Sequence, residues 1–314
     1  MRWKPIVRLL VGCSLLGVIL LQIDWESIRR TADHVQWALV LAALLVFTTQ
    51  AFLEAWRYRC LYAPYGLTTG ESIRLFFTSL FFSNFLPGSI GADLFQVQQL
   101  NRIRPGITRP VTYVMVLRVS GLLINLLIAI IVGALILAED AFKVPIKLDP
   151  DHTKSVVQYV GIVVVIALFV GTVLIWKRND WLELVRWMMH KLLEMVEALS
   201  ELSFTQFLII GVAGALIVLV RASALLLITD AFGQRVCLAG TLLVSSVTTI
   251  VAMVPVSVGG LGVREVSMAS MLSILGVTLS DASAIAILVL LFIWTLSAFG
   301  GVIWSRSSPT TRLR

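Results

Sequence analysis

Long uninterrupted apolar blocks constrain this chain more than any other feature. Residues 6–23, 37–56, 110–137, 156–176, 207–228 and 282–304 form six such blocks. A helix rising about 1.5 Å per residue needs about 20 apolar residues to cross a hydrocarbon core about 30 Å thick. These blocks are apolar all round rather than striped at helical spacing, so they are not core helices of a soluble globule. Composition agrees: 58% of the residues are hydrophobic and 14% charged, against about 25% charged in soluble domains. The expected fold is an all-α polytopic membrane protein, one transmembrane domain over residues 1–314 with about six full spans. The first block follows Arg2, Lys4 and Arg8, and no small-residue cleavage site follows Leu21, so it reads as an uncleaved span.

Two further apolar stretches are shorter and end in breaks. Residues 72–86 run into Pro87-Gly88-Ser89-Ile90-Gly91. Residues 238–254 run into Pro255-Val256-Ser257-Val258-Gly259, with Gly260 and Gly262 next. Fifteen residues reach only about 22 Å, short of the core. Each stretch is therefore expected as one arm of a re-entrant or broken helical hairpin. The returning arms start near Asp93 and near Arg264-Glu265, and proline supplies the helix stop. The pattern Pro-x-Ser-Ile/Val-Gly recurs at an offset of 168 residues, which lays 37–59 on 205–227, 72–86 on 240–254 and 110–136 on 278–304. Two repeats follow, about 37–137 and 205–304. Between them, residues 180–202 space Trp181, Trp187, Met188, Leu192 and Leu199 as an amphipathic interfacial helix.

The net charge of +7 does not point to nucleic acid, because Lys and Arg are scattered with no basic helix or aromatic platform. If the hairpins do not cross, the six spans alternate with both termini cytoplasmic. Of the 25 Lys and Arg, 16 then lie on the cytoplasmic side and 7 on the other, the bias expected of cytoplasmic loops. Block 37–56 runs opposite to its mate 207–228, so the halves are inverted and the hairpins enter from opposite faces. Inverted repeats with discontinuous helices are a transporter architecture. Unwound backbone at membrane depth is tolerated only where it is buried or lines a polar cavity.

The polar residues inside these elements carry the expected chemistry. Arg118 sits eight residues into its block and Arg221 well inside another. A guanidinium there is costly without a partner or water. On one reading each faces a cavity and grips an anionic group such as a lipid phosphate in bidentate fashion. On the other, each pairs with an internal acid or snorkels. Asn125, seven residues after Arg118, falls on the same helical face and shares that cavity in the first reading. Arg264 follows three glycines, where exposed N–H groups and a helix N-terminus favour an anion. Glu265 is either a proton-coupling carboxylate or a first-turn acid offsetting Arg264, and Asp93 has the same two readings. Asn84, Ser89 and Ser257 complete the substrate-binding set. The hairpin breaks are Pro87, Gly88, Gly91, Pro255, Gly259, Gly260 and Gly262. Glu54, three residues before Arg57, reads as a local ion pair. Gly259-Gly260-Leu261-Gly262 lacks the strand–helix context of a nucleotide loop, and no histidine lies near the membrane glycines to act as a hydrolytic base. Cys13, Cys60 and Cys237 are isolated and His34, His152 and His190 far apart, so no disulfide framework, metal or cofactor is expected. Nor is an enzyme.

Asn84-Phe85-Leu86-Pro87-Gly88-Ser89-Ile90-Gly91-Ala92-Asp93, with Val254-Pro255-Val256-Ser257-Val258-Gly259-Gly260-Leu261-Gly262-Val263-Arg264-Glu265, resembles the flippase-like family. That family includes the transmembrane domain of lysylphosphatidylglycerol synthases. The resemblance spans nearly the whole chain, and Arg118 matches an arginine the family places in the span after the first motif. It implies transfer of a lipid between leaflets, with membrane lipid as the substrate and the bilayer as the setting. In the synthases that lipid is aminoacylated phosphatidylglycerol; stand-alone members accompany hopanoid or glycolipid pathways. The family often has Gly or Arg where Ala92 and Asp93 lead on, so its basic group after the first motif is missing here. The chain ends ten residues after the last block, with no soluble aminoacyl-transfer domain, so synthase activity is not expected. The expectation is a lipid translocase for an amphiphilic, anionic or phosphate-bearing lipid, in a bacterial cytoplasmic (inner) membrane. Two alternatives stay open: a secondary transporter of a small amphiphile, and a non-transporting membrane partner of a lipid-biosynthesis enzyme.

Overall fold

The computed structural model describes residues 35–84, 90–104, 110–137, 204–253, 257 and 260–306. The blocks 6–23 and 156–176, the segment 180–202, and Pro87, Gly88, Ser89, Pro255 and Gly259 lie outside the described residues. Every regular element described is helical. In chain order these are α1 (Trp37–Leu61), a 3-10 turn (Ala63–Tyr65), α2 (Thr69–Ser83), α3 (Ile90–Ile103), α4 (Pro110–Leu137), α5 (Phe204–Ala231), α6 (Leu238–Met253), α7 (Val263–Ile274) and α8 (Leu279–Arg306). Four of them, α1, α4, α5 and α8, are long and apolar enough to cross a membrane.

Local sequence explains where the short helices start. Thr68 and Glu71 close a capping box on α2: the Glu71 N–H donates to Thr68 Oγ1, and the Thr68 N–H donates to the Glu71 carboxylate at 2.8 Å. At α7 the N-cap is Gly262, with φ +78°, a conformation glycine adopts without a Cβ penalty. Having no side chain, it caps nothing itself; instead Glu265 reaches back and accepts its N–H. Helices α2 and α6, of 15 and 16 residues, extend only about 22–24 Å.

The long helices turn apolar faces outward. On α1, Leu41 and Leu45 are 62% and 70% exposed, while Val40, Ala43, Phe47, Ala51 and Ala55 are buried at helical spacing. In water that exposed face would be a liability; against acyl chains it is the expected surface.

Packing joins the two groups of four helices rather than separating them. Helix α1 packs along α5, α2 along α8, and α4 along α6. The α1–α5 pair is antiparallel. Gln36, at the start of α1, donates to the carbonyl of Ala231 at the end of α5 (3.1 Å), while Gly214, early in α5, faces the Arg57 guanidinium near the end of α1. The α2–α8 pair is antiparallel too, with Phe77 against Gly300 and Asn84 against Ser297. Helix α2 also packs on α3, and α6 on α7. One apolar core runs through α1, α2, α5, α6, α7 and α8. A second, centred on Tyr58, Tyr62, Tyr65 and Tyr113, joins the end of α1 to α3 and α4.

Candidate functional site

A cavity of about 190 Å³ opens where the two short-helix pairs approach one another. Its polar lining is Tyr58 from α1, Ser79, Ser83 and Asn84 from α2, and Arg264 from α7, with Ala92 of α3 at its edge and apolar walls from α2 and α8. Asn84 belongs to the first proline–glycine motif and Arg264 to the second. The fold thus brings together two expected site residues 180 positions apart in the chain.

The cavity groups are held by neighbours that leave defined atoms free. Asn84 donates through Nδ2 to Ser297 Oγ on α8, so its Oδ1 remains an acceptor. Ser83 donates to the Leu80 carbonyl at 2.7 Å. Arg264 donates from Nε to Glu265 Oε1 at 3.2 Å, leaving its two Nη groups as donors. Glu265 is 1% exposed and sits in the first turn of α7. It accepts from both Arg264 and the Gly262 N–H. A carboxylate there is stabilised by the guanidinium and by the positive end of the helix.

The other expected residues form two separate groups. Arg118 meets Asp93 at 2.7 Å, both partly exposed, so α4 and the first turn of α3 are joined by charge. Arg221 donates from Nε to Ser245 Oγ and from Nη2 to Asn125 Oδ1, each at 2.8 Å. Asn125 thus serves Arg221 rather than Arg118. Neither Arg118 nor Arg221 lines the cavity. Gly91 is buried in the first turn of α3. Gly260, with φ +77°, packs against Ala252 at the end of α6. Ser257 is fully buried, and its hydroxyl has no hydrogen-bond partner among the described residues.

Several contributors were not singled out by sequence. Arg57 forms the local pair with Glu54 at 3.5 Å. It is also 4% exposed and reaches across to α4, donating to Ser120 Oγ at 2.7 Å and to the Leu117 carbonyl at 3.3 Å. Glu54 and Arg57 also act electrostatically on the half-buried Arg221. Tyr58, Gln96 and Ser297 were also missed. A polar residue inside an apolar helix is the signal that marks Ser297; Tyr58 and Gln96 carry none, because a tyrosine at a span end ordinarily reads as an interfacial anchor. Beside them, burial pushes the Tyr62 hydroxyl well above its ordinary pKa, so it remains a proton donor.

The arrangement offers hydrogen-bond donors from Arg264 and Tyr58, acceptors from Asn84 and Ser83, and no nucleophile–base pair among the lining residues. It can hold a small polar group. The family model for the lysylphosphatidylglycerol synthase TM region matches residues 6–300. No curated protein and no solved structure matches the chain significantly. A match over nearly the whole chain, joined to four membrane-length helices, makes this a multi-pass membrane protein belonging to the family of lysylphosphatidylglycerol synthase transmembrane regions.

Proposed function

We propose that the chain is a lipid translocase without catalytic chemistry, moving an amphiphile with an anionic or phosphate-bearing headgroup between leaflets. The observation that carries this reading is the cavity on which Asn84 and Arg264 converge from two proline–glycine motifs. A polar chamber walled by short helices suits a headgroup whose tails stay in lipid. Helices α1–α4 and α5–α8 are taken as inverted repeats. The antiparallel α1–α5 pair supports this, as does the reciprocal packing of α2 on α8 and α6 on α4. Rocking of one half on the other would expose the cavity to each leaflet in turn. The membrane would be a bacterial cytoplasmic one, with both termini inside.

The test is leaflet exchange of a fluorescent phospholipid in reconstituted vesicles. Arg264→Ala removes the cavity's guanidinium and is expected to slow exchange about tenfold, the worth of one charge-assisted hydrogen bond. Exchange equal to that of the unaltered protein would remove Arg264 from the mechanism. A second reading, a non-transporting partner of a lipid-biosynthesis enzyme, draws on the carboxylate that each of Arg118 and Arg264 already holds. It predicts no exchange above that of protein-free vesicles.

A further inference from the structure

The α1 wall of the cavity is Tyr58, and its hydroxyl ends a directed chain of hydrogen bonds. Tyr62, fully buried, donates to Gln96 Oε1 at 2.6 Å. Gln96, also buried, donates from Nε2 to the Tyr58 hydroxyl at 3.2 Å. The direction follows from what each atom has available. Were the Gln96 amide turned over, Nε2 would face Tyr62, and the Tyr62 proton would be buried without an acceptor among the described residues. Buried donors are rarely left so. With the amide as found, the Tyr58 oxygen accepts from Gln96. Its own proton then has no acceptor among the described residues, and Tyr58 is part of the cavity lining.

We propose that Tyr58 is a headgroup-binding residue whose hydroxyl is committed as a donor by Gln96 and Tyr62, and that with Arg264 it holds a phosphate oxygen. A phosphate offers acceptors to both donors. The proposal rests on the translocase reading only in taking the phosphate to be a lipid's.

The experiment measures binding rather than transport. The full chain in detergent is titrated with phosphatidic acid, and with diacylglycerol of the same acyl chains, and followed by native mass spectrometry. Tyr58→Phe keeps the ring in its edge contacts with Tyr62 and Phe76 and removes only the hydroxyl. It is expected to weaken phosphatidic acid binding about tenfold and leave diacylglycerol unchanged. Gln96→Glu offers Tyr58 an acceptor, draws its proton out of the cavity, and is expected to reproduce the loss with the hydroxyl still present. The double variant is expected to bind no more weakly than Tyr58→Phe. Unchanged phosphatidic acid affinity in Tyr58→Phe overturns the proposal, and so does an equal loss for diacylglycerol, which marks a packing defect. Displacement of phosphatidic acid by inorganic phosphate supports oxyanion recognition with free phosphate as a competent ligand; no displacement, with the Tyr58 effect retained, supports a lipid phosphate. The two readings fail separately. Tyr58-dependent binding without leaflet exchange removes the translocase and keeps the site. Arg264-dependent exchange with a neutral Tyr58→Phe does the reverse.

Discussion

Arg57 shows that a charge whose local pair is legible in sequence can have distant partners that are not. It stands at the end of an apolar block, where an arginine ordinarily marks the membrane surface. The helix continues past it to Leu61, and α4 and α5 close over it, leaving it 4% exposed. Its guanidinium binds Glu54, Ser120 and the Leu117 carbonyl at once. Arg57→Ala would strip Glu54 of that partner and empty the space facing Gly121 and Gly214, at a cost of about 3 kcal/mol. Thermal unfolding in detergent should fall by several degrees, and Glu54→Gln with Arg57→Met should recover most of the loss. A melting temperature unaffected by Arg57→Ala would show the pair to be dispensable. At this scale sequence exposes which polar residues sit at membrane depth, as with Arg118, Arg221 and Asn125. It does not expose their partners. The Asp93–Arg118 and Asn125–Arg221 contacts depend on which helix faces which, and no spacing within one helix encodes that.

Elements were more legible than contacts. The apolar runs around residues 37–56, 110–137, 207–228 and 282–304 all recur as long helices, because a run apolar on every side has no alternative to a helix in lipid. The short runs recur as α2 and α6, ended as expected just before their proline motifs. What sequence left open is how closely the helices approach. The α2–α8 seam is set by glycine: a Cβ on Gly300 would lie 1.9 Å from the Phe77 carbonyl oxygen, and one on Gly301 would press on the Phe81 ring. Small residues at such seams let backbones meet where no hydrophobic force between helices exists. Gly300→Ala must therefore push α8 off α2, at a cost of about 1–3 kcal/mol or more. It would also disturb the Asn84–Ser297 contact beside the cavity. Gly211→Ala, on α5 with open space around it, is the matched control and should be neutral or slightly stabilising. Equal melting curves for the two variants would remove the close-packing argument.

For the whole molecule, the inverted repeat is part of the proposal, and some helix boundaries support it. Helix α2 begins at residue 69 and α6 at 238, α4 spans 110–137 and α8 spans 279–306, each displaced by 169. That regularity does not by itself fix orientation, since parallel and inverted repeats share it. The proposed inversion rests on α1 and α5, which run antiparallel. If both cross the bilayer, the turn after α1 and the turn after α5 must lie on opposite faces, whatever the segments outside the described residues do. Ala63 and Arg235 occupy those two turns and are exposed. Cysteines placed there singly, with Cys13, Cys60 and Cys237 replaced by serine, should react with a membrane-impermeant maleimide from opposite sides of sealed inverted and right-side-out vesicles. On the proposed topology, the excess of Lys and Arg between residues 57 and 109 predicts residue 63 on the cytoplasmic side and residue 235 on the other. Labelling of both from one side would mean that α1 or α5 does not span. The proposed alternation of the cavity between the two leaflets would then fail, and a headgroup held by Arg264 would have no route across.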